Sequence, residues 1–163
     1  GTGIWTDELL RLGTDITAVD ASPEVLELNR QRLRAAAVCY RQLDLFAWEP
    51  DEEFDCVFIG FWLSHVPAER LAAFLDKVRR SLRAGGRLFL VDSLFDPAST
   101  ATDHQLLDQD QNWQVRRLAD GREFKVVKVF YAPEELQAKL ERAGFTVAVW
   151  TSGSFFLYAT GRR

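Results

Sequence analysis

The chain alternates between helix-like and strand-like segments, and this alternation constrains its fold more than any single motif. Residues 54–60 are almost continuously apolar, which is typical of a central strand covered on both faces. Residues 67–82 instead place apolar side chains at three- and four-residue steps, the period of an amphipathic helix. Such alternation predicts an α/β fold, with an open, mostly parallel sheet and helices on both of its faces.

The other predicted elements continue this order along the chain. Ser22-Pro23-Glu24 begins a helix, because serine caps a helix N-terminus and proline suits the first helical position. Gly85-Gly86 is expected to end the helix that starts at Pro67. The Asp120-Gly121 pair predicts a β-hairpin. The remaining predicted helices and strands cover residues 4–12, 16–19, 23–36, 38–43, 87–92, 133–143, 145–150 and 155–160.

Composition argues against several classes of protein. The 163 residues fit a single domain, and 24 acidic against 20 basic residues give a net charge of −4, which argues against nucleic-acid binding through bulk charge. No apolar segment approaches the roughly 18 residues that span a bilayer, so we expect no membrane partner and a cytoplasmic location. Cys39 and Cys56 are expected to be buried thiols, and with His65 and His104 they form no metal-ligand pattern.

Ligands of such a sheet bind at the carboxyl ends of its strands, where this chain places glycines and short acids. Gly1-Thr2-Gly3 forms a loop without bulky side chains, which lets a ligand approach its backbone. Asp20 ends the next strand, 17 positions after Gly3, and a carboxylate there can accept hydrogen bonds from both hydroxyls of a ribose. Two cofactor classes use this layout. The dinucleotide fingerprint requires a third glycine where Thr6 stands, so the sequence disfavours NAD without excluding it.

Five segments contain the glycine loop, the ends of the predicted strands and the turns that follow these strands. They are GTGIWT at 1–6, ITAVDAS at 16–22, QLDL at 42–45, FDCVFIGFWLSHVP at 54–67 and LRAGGRLFLVD at 82–92. Their order and spacing resemble the successive motifs of class I S-adenosylmethionine-dependent methyltransferases. The resemblance implies a Rossmann-like fold with an antiparallel pair of C-terminal strands, S-adenosylmethionine as the cofactor, and a small-molecule acceptor as in bacterial members.

The resemblance also implies cofactor-binding roles for particular residues. Asp20 would hold the ribose hydroxyls, and Asp44 would accept a hydrogen bond from the adenine amino group. The other implied contacts are Gly1, Thr2 and Gly3 at the methionine end, Ala21 and Leu45 at the adenine, and Gly60 and Phe61 opposite the glycine loop.

The beginning of the chain departs from the family pattern. The glycine loop usually follows a first strand that ends in an acidic residue, and no such strand precedes Gly1. The chain has no methionine, so we expect an N-terminally incomplete domain. Loss of a mid-sheet strand would leave two strands without a ladder partner, and such a fragment is expected to fold poorly or bind its cofactor weakly.

The acceptor side is predicted from the segment after the apolar strand at 54–60. His65 is the candidate general base, because the unperturbed pKa of an imidazole is roughly 6.5; the alternative is that it only packs against the cofactor or caps the next helix. Trp62 and Trp113 are candidate walls of the acceptor pocket, whereas Phe95 and Tyr131 are expected in the core. Residues 96–130 would cover the acceptor, and their basic side chains indicate either a solvated hairpin face or an acidic acceptor.

We therefore expect a methyltransferase of small molecules that works by in-line displacement. A nicotinamide-dependent oxidoreductase of Rossmann type and a truncated, non-catalytic domain are the alternatives. An aminopropyl transferase would need a paired acidic motif where Gly60 and Phe61 stand. The sequence leaves open which atom of the acceptor is methylated and which oligomeric state the protein adopts.

Overall fold

The computed structural model describes residues 1–13, 15–33, 37–95, 104–106, 112–117 and 120–163, with 104–106 described by their backbone alone. The chain divides into two compact units, Gly1–Glu49 and Pro50–Arg163. Within the ranges just given, neither unit has a helix that is long and apolar enough to cross a membrane. The expectation of a single domain over residues 1–163 stays a prediction.

The N-terminal unit, Gly1–Glu49, is a β-α-β arrangement preceded by a short helix. Ser22 caps the second helix as predicted, since its Oγ accepts a hydrogen bond from the Val25 amide at 3.2 Å. The two strands pair in parallel with Asp20 opposite Gln42, so their carboxyl ends meet at one edge. The elements are α1 (Ile4–Leu10), β1 (Ile16–Asp20), α2 (Pro23–Leu33) and β2 (Val38–Gln42).

The C-terminal unit, Pro50–Arg163, contains a four-stranded mixed sheet in the order β3-β4-β9-β8. β3 and β4 are parallel, and β9 runs antiparallel to both β4 and β8. The α/β fold with an antiparallel C-terminal pair is thus confirmed. The elements are β3 (Phe54–Gly60), α3 (Ala68–Arg80), β4 (Leu82–Ser93), β5 (His104–Leu106), β6 (Trp113–Arg117), β7 (Glu123–Val127), α4 (Pro133–Arg142), β8 (Thr146–Thr151) and β9 (Phe156–Arg162).

A second, antiparallel sheet in this unit has the order β5-β6-β7. The hairpin of β6 and β7 is the one predicted from Asp120-Gly121, and Gly121 takes the positive φ of 86° that the turn requires. No strand was predicted before this hairpin, but the backbone forms the short strand β5 there. The three residues of β5 are too few for a periodic pattern to reveal them.

The core of the C-terminal unit lies between its helices and the four-stranded sheet. Helix α3 buries Leu71, Phe74, Leu75 and Val78, the positions that its sequence period predicted. Each leucine or phenylalanine removed from water in this way contributes about 1.5–3 kcal/mol. The sheet and α4 contribute further fully buried leucines, namely Leu88, Leu90, Leu136, Leu140 and Leu157.

Two expectations about burial are wrong. β3 was expected to be covered on both faces, yet Asp55 and Cys56 are exposed, and within the described residues β3 pairs only with β4 at the edge of its sheet. Cys56 lines a shallow depression beside Phe89 on an uncovered part of that sheet. Cys39 is also exposed. The neighbouring Tyr40 donates a hydrogen bond to Asn29 of helix α2. Because consecutive side chains of a strand point to opposite faces, Cys39 points away from this helix.

The expected role of Gly85-Gly86 as a helix stop is also wrong. Helix α3 ends at Arg80, and β4 already begins at Leu82. The pairing of β3 with β4 shifts register between Phe54 and Cys56, and the glycines lie in this irregular part of β4. A Cβ at Gly86 would lie 2.8 Å from the Arg83 carbonyl oxygen, so the tight backbone requires glycine.

Candidate functional site

The glycine loop at the start of the N-terminal unit is shaped by a close approach of helix α2. Gly3 is buried and has a φ of 93°. A Cβ on Gly3 would lie 3.0 Å from Asn29 Oδ1 and 3.1 Å from Arg32 Cδ. Arg32 Nε also donates to the Thr2 carbonyl oxygen at 3.0 Å. The loop therefore holds a bare backbone against α2, and its contact with a ligand stays a prediction.

Asn29 also ties this loop to the rest of the unit, and its role was not predicted from the sequence. Its side chain is almost fully buried at 1% exposure. Its Nδ2 donates to the Gly1 carbonyl oxygen at 2.9 Å and to Thr6 Oγ1 at 3.1 Å, and its Oδ1 accepts from the Tyr40 hydroxyl at 3.2 Å. The signal was present: Asn29 stands three positions after buried Leu26, on the inner face of the helix.

Asp20 lies at the carboxyl end of β1 with both carboxylate oxygens engaged. Oδ1 accepts a hydrogen bond from the Ser22 amide at 3.0 Å, and Oδ2 accepts one from the Gly1 amino group at 2.7 Å. The side chain is 28% exposed, and each carboxylate oxygen keeps a further lone pair. Asp20 is thus fixed in position beside the glycine loop and still accepts further hydrogen bonds.

Asp44 lies at the same edge of the two-stranded sheet. Asp20 pairs with Gln42, and the Leu43 amide donates to the Asp20 carbonyl oxygen at 3.0 Å. Asp44 follows directly and is exposed, with its Oδ1 accepting from the Phe46 amide at 2.9 Å. The parallel register therefore brings together the strand ends that carry Asp20 and Asp44. Their neighbours Ala21 and Leu45 share this edge.

Gly60 and Phe61 end strand β3 in the C-terminal unit. Phe61 adopts a φ of 53°, a left-handed conformation that costs a residue with a side chain about 1–2 kcal/mol. The Phe61 amide donates to the Val91 carbonyl oxygen at 2.8 Å, and its ring meets Phe156 edge to face at 5.7 Å. These contacts hold the chain at the sharp turn that leads to Trp62.

His65 follows this turn and is half-buried. Its Nδ1 lies 2.6 Å from the Val127 carbonyl oxygen. Because a carbonyl oxygen only accepts, Nδ1 carries the proton, and the neutral ring keeps its lone pair on Nε2. Burial lowers the pKa of His65, and the nearby cations Lys128 and Arg116 lower it further against the opposing effects of the Val127 hydrogen bond and Asp92.

A buried ionic cluster lies beside His65, and the sequence did not reveal it. The side chains of Lys128 and Asp92 are 8% and 3% exposed, and Lys128 Nζ lies 3.4 Å from Asp92 Oδ1. Nζ also donates to Ser64 Oγ at 2.8 Å, while the Ser64 amide donates to Asp92 Oδ2 at 2.9 Å. Burial lowers the pKa of Lys128, and the Asp92 carboxylate opposes that change. The cluster fixes the turn that carries His65.

The predicted aromatic residues take different positions. Trp113 is exposed at the start of β6, opposite the Val127 whose carbonyl oxygen holds His65, so the hairpin brings Trp113 and His65 to one end. Trp62 is half-buried.

The two aromatic residues expected in the core differ. Tyr131 is in the core as expected, but Phe95 is not, because its side chain is exposed and meets Phe130 edge to face at 5.4 Å. Most of residues 96–111 lie outside the described part of the chain.

The parts of the chain that the structure describes hold no group of three His, Cys, Asp or Glu side chains placed as metal ligands. The N-terminal unit thus offers a bare glycine loop and two short acids at adjacent strand ends. The C-terminal unit offers, within itself, a histidine whose Nδ1 is held by the Val127 carbonyl oxygen.

Known families and solved structures resemble this chain. A family model described as "Methyltransferase domain" matches residues 1–86. The solved structure of a DhpI–SAH complex is 38% identical and superposes with a TM-score of 0.85 over 99% of this chain and 72% of that one. This chain belongs to the class I S-adenosylmethionine-dependent methyltransferases. A DhpI–SAM–HEP complex is 36% identical, with the same TM-score of 0.85.

The curated relatives of this methyltransferase are themselves named as methyltransferases and come from bacteria. Demethylmenaquinone methyltransferase of Tropheryma whipplei is 28% identical, over 99% of this chain and 70% of the relative. Ubiquinone biosynthesis O-methyltransferase of Xanthomonas oryzae pv. oryzae is 31% identical, over 88% of this chain and 58% of the relative. The predicted family, its small-molecule type and S-adenosylmethionine as cofactor are confirmed, and the nicotinamide alternative is not favoured. The roles of individual site residues stay predictions.

Proposed function

We propose that the N-terminal unit of this methyltransferase holds the nucleoside of S-adenosylmethionine at the edge where β1 and β2 end. The observation that carries this proposal is the parallel register that sets Asp20 and Asp44 at neighbouring strand ends, beside a loop in which Gly3 admits no Cβ. Asp20 accepts from the ribose hydroxyls, and Asp44 accepts from the adenine amino group. The remaining contacts are Gly1, Thr2 and Gly3 at the methionine end, Ala21 and Leu45 at the adenine, and Gly60 and Phe61 at the border of the cofactor.

The residues present suit this cofactor. A ribose offers two hydroxyl donors to one carboxylate, and Asp20 is held by the Ser22 amide so that its remaining lone pairs have a fixed direction. When bound, S-adenosylmethionine supplies a methyl group already activated by its sulfonium, so the protein mainly has to position donor and acceptor. The rigid support of Gly1 by Asn29 serves that positioning.

We propose His65 as the general base of the transfer. The Val127 carbonyl oxygen keeps the ring proton on Nδ1, so Nε2 is the atom that takes a proton from the acceptor as the methyl group is transferred. The lowered pKa of His65 keeps the ring neutral at neutral pH, which is the state a base requires. The alternative role is packing alone, and the pH dependence of turnover distinguishes it from that of a base.

We propose a small-molecule acceptor that contacts Trp62, His65 and Trp113 and is covered by residues 96–130. The names of the curated relatives support an acceptor of this size, and their bacterial sources support a bacterial, cytoplasmic enzyme. No role for nucleic acid or for a membrane enters this proposal.

The proposal is tested by cofactor binding and by methyl transfer, measured separately. Calorimetry with S-adenosylhomocysteine measures the nucleoside site, and we expect one site per chain. Methyl-labelled S-adenosylmethionine is then offered with a panel of small acceptors, including quinone precursors of the kind named for the relatives. Absence of any S-adenosylhomocysteine binding would overturn the proposed nucleoside site, whichever acceptors are tried.

A further inference from the structure

The hairpin of β6 and β7 carries cations of two kinds. Two of them are exposed and balanced by carboxylates on the same hairpin: Arg117 lies 3.5 Å from Glu123, and Arg122 lies 2.7 Å from Asp120. A third, Lys125, is exposed as well, whereas Arg116 and Lys128 are withdrawn from solvent. The cations thus differ in what surrounds them, although all five belong to one basic segment.

Arg116 and Lys128 share one face of the hairpin. Arg116 stands opposite Phe124 and Gln114 opposite Val126, and the Lys128 amide donates to the Asn112 carbonyl oxygen at 2.8 Å, which extends the same register by one step. Residues opposite each other in an antiparallel ladder lie on one face, and so do alternate residues along each strand. Arg117 lies on the other face.

The charges on the shared face do not balance within the described residues. Asp92 is the carboxylate that reaches Lys128, and Lys128 already gives further hydrogen bonds to Ser64 and Ser93. Arg116 Nε is buried and, in the part of the chain that the structure describes, has no hydrogen-bond partner. A buried donor without a partner costs about 1–3 kcal/mol, and more when it is charged. Two cations thus stand against one carboxylate, with a charged donor left to be satisfied.

We infer that Arg116 and Lys128 bind an anionic group of the methyl acceptor, an oxyanion such as a carboxylate or a phosphoryl group. This inference rests on the proposed function, since it assigns the substrate class of that site. A guanidinium presents its N–H groups as a planar fork that matches two oxygens of a carboxylate or phosphate. The Val127 carbonyl oxygen, one residue before Lys128, holds His65. An acceptor bound through its anionic group therefore lies beside the proposed base.

The inference is tested on the full chain saturated with S-adenosylhomocysteine, with inorganic phosphate and acetate as the probes. Calorimetry at constant ionic strength measures the dissociation constant of each anion. We expect the Arg116→Gln variant to bind the preferred anion at least tenfold more weakly than the unsubstituted protein. Arg117→Gln is the matched control, because Arg117 is adjacent but exposed, and its constant should change less than twofold. A preference for phosphate indicates a phosphoryl acceptor, and a preference for acetate indicates a carboxylate.

Lys128 needs a different variant, because its removal alone would leave Asp92 buried without its cation. The double variant Lys128→Met/Asp92→Asn removes both charges, and circular dichroism checks that it is folded. We expect it also to lose anion affinity at least tenfold.

Binding of neither anion to the unsubstituted protein, or equal binding to it and to Arg116→Gln, would overturn the inference. Retained S-adenosylhomocysteine binding in the same samples would leave the proposed nucleoside site standing.

Discussion

The side-chain amide of Asn29 donates a hydrogen bond to the Gly1 carbonyl oxygen over 2.9 Å, which joins the buried face of α2 to the glycine loop. The same side chain bonds Thr6 of α1 and Tyr40 of β2. Asn29 therefore helps to set the distance between the loop and the strand ends that carry Asp20 and Asp44.

Asn29→Leu should weaken both folding and cofactor binding. The substitution leaves the buried Thr6 hydroxyl without this partner, at about 1–3 kcal/mol. It also removes the partner of the half-buried Tyr40, whose hydroxyl loses less. Urea unfolding measures the loss of stability, and calorimetry with S-adenosylhomocysteine measures the binding. Gln31→Leu on the exposed side of the same helix is the control, because Gln31 donates to the exposed Glu27 at 3.0 Å, and it should change both little. Equal behaviour of the two variants would remove Asn29 from the support of the loop.

Gly3→Ala should reduce S-adenosylhomocysteine affinity, because its Cβ meets Asn29 and Arg32 at 3.0–3.1 Å and the φ is 93°. Gly153→Ala offers a matched control, since Gly153 has the same φ of 93° but open space around it. Both variants carry the left-handed penalty of about 1–2 kcal/mol, whereas only Gly3→Ala should also displace the loop. The difference in calorimetric affinity between them measures the displacement. Unchanged affinity in Gly3→Ala would mean that the loop does not contact the cofactor.

Asp20→Ala should raise the dissociation constant of S-adenosylhomocysteine at least tenfold, or about 1.4 kcal/mol. The reason is the loss of a carboxylate that accepts from the ribose hydroxyls. Asp55→Ala is the control, because Asp55 is an exposed acid near the start of β3, where it pairs with Arg83 at 2.8 Å. If calorimetry gives Asp20→Ala and Asp55→Ala the same affinity for S-adenosylhomocysteine, the proposed ribose contact is wrong.

The pH dependence of kcat/KM tests His65. Its lowered pKa predicts that the acid limb of the profile falls below pH 6.5, the ordinary value for an imidazole. The rate decreases as pH falls through this limb, because protonation removes the lone pair of Nε2. Arg116→Gln removes a cation that lowers this pKa, so the limb should move to higher pH. His65→Gln should abolish the limb and reduce turnover by about 10²–10⁴-fold. Full turnover in His65→Gln at saturating substrates would leave the residue with a packing role only.

The same lowered pKa makes a prediction about stability. Between the folded pKa of His65 and the unfolded value of 6.5, the unfolded chain binds more protons. Stability contributed by neutral His65 is therefore present above pH 6.5 and is lost as pH falls through the folded pKa. Urea midpoints measured at a series of pH values should fall less steeply over this window in His65→Gln. A parallel fall in both proteins would contradict the assignment.

Tyr131→Phe should leave stability unchanged or raise it. Burial, with Glu135 and Asp92 adding to it, raises the pKa of Tyr131 to about 12, and its buried hydroxyl has no hydrogen-bond partner within the described residues. Removing such a group relieves a cost of about 1–3 kcal/mol. Tyr131→Ala should instead lose about 3–5 kcal/mol through the cavity it leaves. Thermal unfolding distinguishes the two, and a marked loss in Tyr131→Phe would reveal a partner for the hydroxyl.

Local signals predicted most of the framework. The cap at Ser22, the turn at Asp120-Gly121 and the apolar period of α3 each depend on residues close in sequence, and all three appear as expected. Acids at the ends of β1 and β2 were also predictable, because parallel strands share an edge.

Features that depend on distant residues were not predictable in this way. Lys128 and Asp92 are 36 positions apart, and nothing local in either segment indicates that they meet. The exposure of Cys39 and Cys56 depends on which sheet faces remain uncovered, which an apolar run does not reveal. Gly85-Gly86 is ambiguous for a related reason, since glycine serves a helix end and an irregular strand equally well.

The oxygen that fixes the His65 proton belongs to the main chain at Val127. Every amino acid supplies that oxygen, so replacement of the Val127 side chain leaves the tautomer intact as long as the strand keeps its path. Side chains along this hairpin can therefore diverge and recognise new acceptors while the chemistry at the imidazole stays the same. Change of substrate and retention of the proposed base are separable in this architecture.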